Sequence, residues 1–298
     1  MPLPLRVLGR DGPKVSAVGF GFGSLGGFYG PAGTFDEKLA VLEHALATGL
    51  RFWDMADVYA DSEVVVRQPN GMHKFWSDPE YVKAACEKSL HRLGVDTIDL
   101  YYCHWVDGVR PIEKTVEALV ELKNQGKIRY LGLSEVSAVT LRRAHAVHRI
   151  AALQMEYSLF TLDIKSSTSE ILKTCRELGA TVVAFSPIGR GVLRGHISKG
   201  DLRRMLPKFS KDNFPKILAV VHGLKNVACA HGSTPAQVTL AWLLAQGPDI
   251  IPTPGTKSTT RTYENAASAL VQLSDQEVQG IRTLVEQMRL QGTRYSAA

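Results

Sequence analysis

The sequence has few of the features that would place it in a specialised class. Its 298 residues include four cysteines without a closely spaced pair, and no apolar run is long enough for a signal peptide or a membrane span. These absences predict a cytoplasmic protein with no membrane segment, no metal site and no disulfide framework. The thiols that we expect to be free and buried are Cys86, Cys103, Cys175 and Cys229.

The charge pattern and the lack of repeats argue against nucleic-acid-binding, repeat and multidomain proteins. The net charge of +6 comes from scattered Lys and Arg residues, and no basic run indicates a nucleic-acid partner. An anionic small molecule fits this charge equally well. No segment repeats, no low-complexity linker divides the chain, and 45% of the residues are hydrophobic. We therefore predict a single domain over residues 1–298, and the sequence does not specify its oligomeric state.

The chain does contain an alternation of short β-rich runs and longer helical patterns. Asp11-Gly12 marks a hairpin turn, Thr34 with Glu37 forms a capping box, and Asp78-Pro79 begins a helix. Buried strands are predicted at RFWDM, IDLYYCH, KIRYLGLS, AALQMEY, TVVAFS and DIIPTP, and helices around 112–125, 138–148, 167–178, 213–231 and 235–246. This order favours a parallel sheet, either doubly wound or closed into a barrel.

A glycine motif keeps the doubly wound alternative open. Residues 21–26, GFGSLG, satisfy the GxGxxG pattern, which in a dinucleotide-binding unit cradles a pyrophosphate at a helix N-terminus. Here the motif follows a hairpin, and the next helix begins only near Phe35. The context therefore argues against a dinucleotide-binding unit of that kind.

Six motifs occur in an order that resembles the aldo-keto reductases, in the branch that includes perakine reductase and the auxin-induced-type enzymes. They are WDMADVY at 53–59, IDLYYCHWVD at 98–107, GLSEVS at 132–137, LQMEYSLF at 153–160, FSPIGRGVL at 185–193 and PTPGTKSTTRTYENAAS at 252–268. The resemblance covers nearly the whole chain. It implies a (β/α)8 barrel with an N-terminal hairpin across the bottom, NADP(H) bound across the top, and reduction of a small-molecule carbonyl.

The resemblance also assigns the groups that act on the carbonyl. Tyr59 matches the family's proton donor, Asp54 matches a carboxylate at the end of the second strand, and His104 matches the residue that orients the carbonyl oxygen. Carbonyl reduction needs such groups. Taken singly, the tyrosine and the histidine could equally be core residues. His145 and His148 lie three apart on one helix, but no carboxylate or cysteine completes a metal set.

A larger set of residues is implied around the cofactor. The resemblance matches Ser134 and Gln154 with the pair that holds the nicotinamide carboxamide, Phe185 with an aromatic residue that stacks on the ring, and Lys257, Ser258 and Arg261 with the grip on the adenosine 2′-phosphate. It matches Glu264 and Asn265 with the adenine contacts. The cofactor set is completed by Gly23, Ser24, Ser186, Pro187, Gly189, Gly191 and Gly255.

One expected residue has no counterpart. The family carries a lysine at the end of its third strand, where it lowers the pKa of the tyrosine. After residue 66 the sequence breaks at QPNG and resumes as FWSDPEYVKAACEKSL, so most of the second helix and the third strand are missing. Lys83 and Lys88 should lie outside the barrel. Lys74 could substitute if MHKFW at 72–76 fills the strand position, and VVVR at 64–67 is the other candidate for that position.

The missing segment with its lysine leaves three candidate functions. The first is NADPH-dependent reduction of an aldehyde or ketone, slowed or altered by loss of the lysine, with secondary metabolism as one setting for it. The second is a non-redox lyase, isomerase or cyclase in which Asp54 and His104 act as an acid–base pair. The third is a catalytically silent NADP(H)-binding protein. An exposed Lys74 and a mis-spliced or mis-predicted transcript also remain open.

Overall fold

The computed structural model describes residues 2–27, 33–57, 59, 77–194, 206–288, 290 and 292. Within these residues, short parallel strands alternate with helices, as the sequence predicts. The candidate third-strand segments at 64–67 and 72–76, including Lys74, lie outside the described residues. In the described part of the chain, no helix is both long and apolar enough to cross a membrane.

A hairpin closes the bottom of the sheet. Strands β1 (Leu5–Val7) and β2 (Lys14–Ser16) pair antiparallel around the predicted turn. Leu8 packs into a cluster with the inward residues Ala152, Val183 and Ile251. Arg6 donates hydrogen bonds to the carbonyl of Leu244 at 2.7 Å and to that of Gly247 at 2.6 Å. The hairpin therefore covers the amino ends of the strands and leaves their carboxyl ends open.

The parallel strands form an interrupted ring. Strand β3 (Phe20–Gly21) pairs with β4 (Trp53–Asp54), and a five-stranded sheet has the order β5 (Ile98–Cys103), β6 (Ile128–Ser134), β7 (Ala152–Glu156), β8 (Thr181–Phe185) and β9 (Ile250–Pro252). A parallel bridge between Gly21 and Gly255, with Gly19 donating to the Pro252 carbonyl at 2.9 Å, joins β9 to β3. Among the described residues, no strand pairs β4 with β5.

The helices form the outer layer. They are α1 (Phe35–Ala47), α2 (Pro79–Leu93), α3 (Ile112–Asn124), α4 (Ala138–Val147), α5 (Ile171–Leu178), α6 (Phe214–Ala230), α7 (Pro235–Leu244), α8 (Thr259–Ala267) and α9 (Asp275–Met288). The predicted capping box of Thr34 and Glu37 is present, and Asp78 caps α2. Lys83 and Lys88 lie on α2 outside the sheet, as predicted, and Lys83 pairs with Glu121 at 2.6 Å.

Three predictions about these elements were wrong in detail. Helix α5 begins at Ile171 and not near 167, because Glu170 has a φ of 49°, which a continuing right-handed helix cannot contain. The strand predicted over RFWDM pairs only at Trp53–Asp54. Cys86, Cys103 and Cys175 are buried free thiols, but Cys229 is exposed on α6.

Gly132, in the middle of β6, leaves room for a neighbouring ring. It pairs in register with Tyr102 on β5, and a Cβ atom added to it would lie 2.4 Å from Cδ1 and 2.5 Å from Cε1 of that ring. Such distances are too short for a methyl group, so a side chain here would force the ring out of its place. The ring of Tyr102 therefore lies over the backbone of β6.

We expect Gly132→Ala to lower the free energy of unfolding by about 1–3 kcal/mol, the usual effect of overpacking a well-filled interior. Gly280→Ala is the matched control, because Gly280 is exposed on α9 and its added Cβ meets nothing within 4 Å. Alanine should stabilise that helix by up to about 1 kcal/mol. Denaturant unfolding of both variants measures the difference. Equal stability of the two would contradict the close approach of Tyr102 to β6.

Candidate active site

The polar groups expected to act on a carbonyl meet at the carboxyl ends of the strands. Asp54 ends β4, His104 follows β5, and Ser134 ends β6. Gln154 lies on β7 and pairs in register with Ser134. Parallel strands present their carboxyl ends at one edge, which is where barrel enzymes build their active sites. The sheet thus brings together side chains that are distant in sequence.

Tyr59 and His104 face each other at this edge. Their ring centroids are 6.3 Å apart and their planes are nearly perpendicular. The glycine motif supports the tyrosine: a Cβ on Gly23 would lie 3.7 Å from the Tyr59 ring, and one on Gly26 would lie 2.4 Å from the Tyr59 carbonyl oxygen. The GFGSLG segment therefore seats Tyr59, which explains its glycines without a dinucleotide-binding unit.

The electrostatics of the two rings differ from those of exposed residues. Burial lowers the pKa of His104, and the charge of Asp57 opposes this effect only in part. The imidazole is therefore neutral at physiological pH and keeps one N–H that can donate a hydrogen bond. A neutral N–H donor on His104, next to the Tyr59 hydroxyl, suits a site that binds the uncharged oxygen of a carbonyl group.

Asp54 lies in an environment that disfavours its charge. Burial raises the pKa of its carboxyl group to about 6, and a hydrogen bond from Gln154 opposes the rise. The Gln154 amide Nε2 donates to Asp54 Oδ1 at 2.7 Å, and this bond joins β7 to β4 across the interior of the sheet. Asp54 therefore changes its protonation state within a physiologically accessible range.

Tyr102 is a polar residue of this site that the sequence analysis did not identify. Burial raises the pKa of its hydroxyl well above the usual value, the charge of Asp54 raises it further, and the Gln154 amide opposes both effects. Its hydroxyl is shielded from solvent and forms no hydrogen bond of ordinary geometry with any described group. Its spacing of two from His104 along β5, opposite a glycine on β6, is the sequence signal that could have revealed it.

Unusual backbone geometry marks the rest of the strand ends. Glu135, Ser186 and Arg190 have φ values of 53°, 50° and 56°, a region that non-glycine residues seldom adopt. Such conformations cluster where a protein shapes its backbone for function. Gly189 and Gly191 also have positive φ, next to Pro187, so this loop curls over the end of β8 beside the half-buried Phe185.

Glu135 turns its side chain into the protein. Its Oε1 accepts a hydrogen bond from the backbone N–H of Glu156 at 3.0 Å. The guanidinium of Arg190 lies 3.6 Å from the carboxylate of Glu156, and both side chains are largely buried. These contacts hold the loop after β8 against the ends of β6 and β7.

The positive residues predicted to grip a phosphate lie at the start of α8. Ser258 caps this helix, accepting at Oγ from the Arg261 N–H at 3.4 Å, and Lys257 and Arg261 are exposed beside it. A helix N-terminus with two cations is a favourable place for a phosphate. The residues present therefore fit the phosphate end of NADP(H).

The structure gives the remaining predicted cofactor residues specific positions. A Cβ on Gly255 would lie 3.1 Å from Ser24 Oγ, so these two residues adjoin where β9 meets β3. Asn265 is buried on α8. Glu264 accepts a hydrogen bond from Thr234 Oγ1 at 2.5 Å, so its carboxylate also ties α8 to the start of α7.

Comparison with known proteins identifies the family. The model of the aldo/keto reductase family matches residues 17–286, and the chain belongs to this family. It is 48% identical to aldo-keto reductase str7 of Strobilurus tenacellus, over 99% of this chain and 95% of that protein. It is 40% identical to aldo-keto reductase yakc of Schizosaccharomyces pombe, whose name specifies NADP(+), with the same coverage.

Solved structures give the same result for the fold. The chain is similar to a glycerol dehydrogenase from Gluconobacter oxydans, with a TM-score of 0.83, 27% identity and coverage of 99% of this chain and 98% of that one. An aldo-keto reductase from Klebsiella pneumoniae, solved with NADPH, matches with a TM-score of 0.74 and 26% identity over 98% and 99% of the two chains. The predicted fold class is confirmed, although the described strands do not close the ring.

We expect Asp54→Asn to stabilise the protein at neutral pH but not in acid. A rise in pKa from 3.8 to about 6 means that the folded state binds the proton more tightly, so stability falls as the pH rises from 4 to 6 and stays lower above that. Asparagine does not ionise, so the variant does not lose this stability. The loss in wild type is about 3 kcal/mol at most, since each unit of the pKa rise corresponds to about 1.4 kcal/mol.

Unfolding free energies at pH 4 and pH 7.5 measure this effect. Asp212→Asn, at an exposed position before α6, is the control for a general change in net charge. If the stability difference between wild type and Asp54→Asn did not change with pH, the carboxyl would not be desolvated as described.

Proposed function

We propose that the protein is an NADP(H)-dependent oxidoreductase that reduces the carbonyl of a small aldehyde or ketone. The observation that carries the proposal is the pair of rings of Tyr59 and His104, 6.3 Å apart at the carboxyl ends of the strands, where Asp54 ends β4. Membership of the aldo/keto reductase family supports it. The relative named with NADP(+) and the neighbour solved with NADPH support the choice of cofactor.

Each group has a defined task in this reaction. Bound NADPH supplies the hydride that reaches the carbonyl carbon. His104, kept neutral because burial lowers its pKa, donates its N–H to the carbonyl oxygen and fixes its position. The hydroxyl of Tyr59 donates the proton that this oxygen takes up. Both rings lie at the same edge of the sheet, with their centroids 6.3 Å apart, so the two groups can act on one carbonyl.

Two groups of residues bind the two ends of the cofactor. Ser134 and Gln154, neighbours in register, hold the carboxamide, and Phe185 offers its ring face at the end of β8. Lys257 and Arg261, beside the Ser258 cap of α8, bind the adenosine 2′-phosphate. An arginine fork and a lysine point charge favour a phosphate dianion, so NADP(H) is preferred to NAD(H).

The reaction is slower than in relatives that carry the lysine, or it is altered. The alignment with the Strobilurus protein spans 325 positions, more than the 298 residues of this chain, so the relative has residues that this chain lacks. A lysine beside the tyrosine would lower the tyrosine pKa and stabilise the charge of Asp54. Among the described residues no lysine takes this place, so we propose that the proton of Tyr59 is held more tightly, and the pKa of Asp54 is about 6.

A non-redox reaction is the second candidate, favoured by one observation. Asp54, with a pKa of about 6, and His104, whose pKa is lowered by burial, are a carboxyl and an imidazole group at the same ends of the strands, and both residue types serve as general acids and bases. Such a pair would catalyse an elimination, isomerisation or cyclisation. This reaction would proceed with no nicotinamide present, which separates it from the first candidate.

We expect Tyr59→Phe to lower kcat for carbonyl reduction by about 10²–10⁴-fold, the usual contribution of a positioned proton donor. Affinity for NADPH, measured by fluorescence titration, should not change. Tyr81→Phe, on α2 outside the sheet, is the control.

A variant in which a family-like second helix and third strand are restored should turn over faster than wild type across a panel of aldehydes and ketones. Unchanged turnover in Tyr59→Phe would refute the assigned role, and binding of NADPH without any turnover would leave a silent NADP(H)-binding protein.

We expect Arg261→Ala to weaken NADPH binding by about tenfold while NADH binding stays the same, because the lost contact is a charge-assisted hydrogen bond to the 2′-phosphate. Arg129→Ala, which removes an exposed arginine paired with Asp99 near the amino ends of the strands, is the control. Titration of both cofactors with each variant gives the result. An equal loss for NADPH and NADH would show that Arg261 does not contact this phosphate.

A further inference from the structure

Tyr102, Gln154 and Asp54 lie in the interior of the sheet, on strands that also position the ring pair. The Tyr102 ring lies over Gly132, which leaves no side chain between it and β7. On β7, Gln154 donates its amide N–H to Asp54 at 2.7 Å. The Tyr102 ring packs against the interior cluster that contains Ala152, two residues before Gln154 on β7. The Asp54 charge and the Gln154 amide both act on the pKa of the Tyr102 hydroxyl. The cluster therefore reaches from β5 across β6 to β7 and on to β4.

The hydrogen-bonding capacity of Gln154 limits how this cluster can be arranged. An amide carries two N–H donors and one carbonyl oxygen, whereas an ionised carboxylate can only accept. Asp54 therefore fixes which end of the Gln154 amide faces it. The buried hydroxyl oxygen of Tyr102, which lacks a hydrogen bond of ordinary geometry, is an acceptor that the second N–H could use. With both donors directed inward, the amide oxygen is left to face the strand ends.

A buried hydroxyl without a hydrogen bond is costly, and such groups call for an explanation. Phenylalanine would fill the space over Gly132 equally well, so packing does not account for the hydroxyl. A hydrogen bond from the second N–H of Gln154 would satisfy the Tyr102 hydroxyl while the first N–H keeps its bond to Asp54. The hydroxyl is thus useful when the amide must be held in one orientation.

We infer that Tyr102 and Asp54 are positioning residues that together orient the Gln154 amide, so that its oxygen accepts a hydrogen bond from the carboxamide NH2 of the nicotinamide. This inference rests on the proposed binding of NADP(H). It assigns to Tyr102 a role in cofactor recognition that acts entirely through Gln154. The hydroxyl touches neither the cofactor nor the substrate.

The experiment compares two ligands that differ at the group in question. NADP+ carries the carboxamide, whereas its 3-acetylpyridine analogue has a methyl group in place of the NH2 and cannot donate to Gln154. Dissociation constants of both ligands are measured by calorimetry for wild type, Tyr102→Phe and Tyr101→Phe. Tyr101 is the matched control because it is adjacent on β5 and packs on the opposite side, against the outer core.

We expect wild type and Tyr101→Phe to bind NADP+ more tightly than the analogue. In Tyr102→Phe the ratio of the two dissociation constants should shrink by about three- to tenfold, the effect of one hydrogen bond. Affinity for the analogue should not change. The melting temperature of Tyr102→Phe should stay the same or rise, since the lost hydroxyl had no bond of ordinary geometry. Asp54→Asn, whose amide can donate or accept, should also reduce the preference.

Two negative results have different meanings. If wild type binds NADP+ and Tyr102→Phe keeps the full preference over the analogue, the positioning role of Tyr102 is wrong while the proposed function stands. If wild type binds neither ligand, the proposed function fails and the inference fails with it. An equal loss of affinity for both ligands in Tyr102→Phe would indicate a general structural effect and would also overturn the inference.

Discussion

The hydrogen bond from Gln154 to Asp54 is the contact on which the interior of this protein depends. It joins β7 to β4, two strands on opposite sides of the ring, at the level where the strands end. A carboxyl group held away from water needs such a donor, and an amide in the interior needs an acceptor. Each satisfies the other, and the bond thereby fixes the distance across the site. By strand register His104 follows at the level of Ser134 and Gln154, and Tyr102 lies two residues earlier, opposite Gly132.

The same bond has a further consequence where the ring of strands is interrupted. In the described residues, β4 is held on one side by β3, and through β3 by β9, but no backbone pairing joins it to β5. The side-chain contact to β7 therefore supplies a tie that backbone hydrogen bonds supply elsewhere in the sheet. It is a single bond between groups that also serve the chemistry, so the structural and the chemical tasks of Asp54 cannot be separated.

Much of the fold could be predicted because its signals are local. The capping box of Thr34 and Glu37 and the Asp78-Pro79 helix start involve residues three or fewer apart, and both are present. The motifs also indicated Tyr59 and His104, which the fold brings together. Tyr102 lies in one of these motifs but was not singled out, because its surroundings depend on Gly132 and Gln154, residues 30 and more positions away. The start of α5 was predicted wrongly because nothing in the sequence signals the left-handed backbone of Glu170.

The hydrogen bonds of Arg6 bear on the order in which the chain folds during synthesis as well as on the stability of the hairpin. This side chain bonds to the carbonyls of Leu244, Gly247 and Ile250, more than 230 residues further along the chain. Burial lowers the pKa of its guanidinium to about 10, so the group sits in a place that is unfavourable without those carbonyls. During synthesis the amino-terminal hairpin must wait for most of the protein to emerge before it can dock. A segment that is made before residues 244–250 therefore reaches its final contacts only after them.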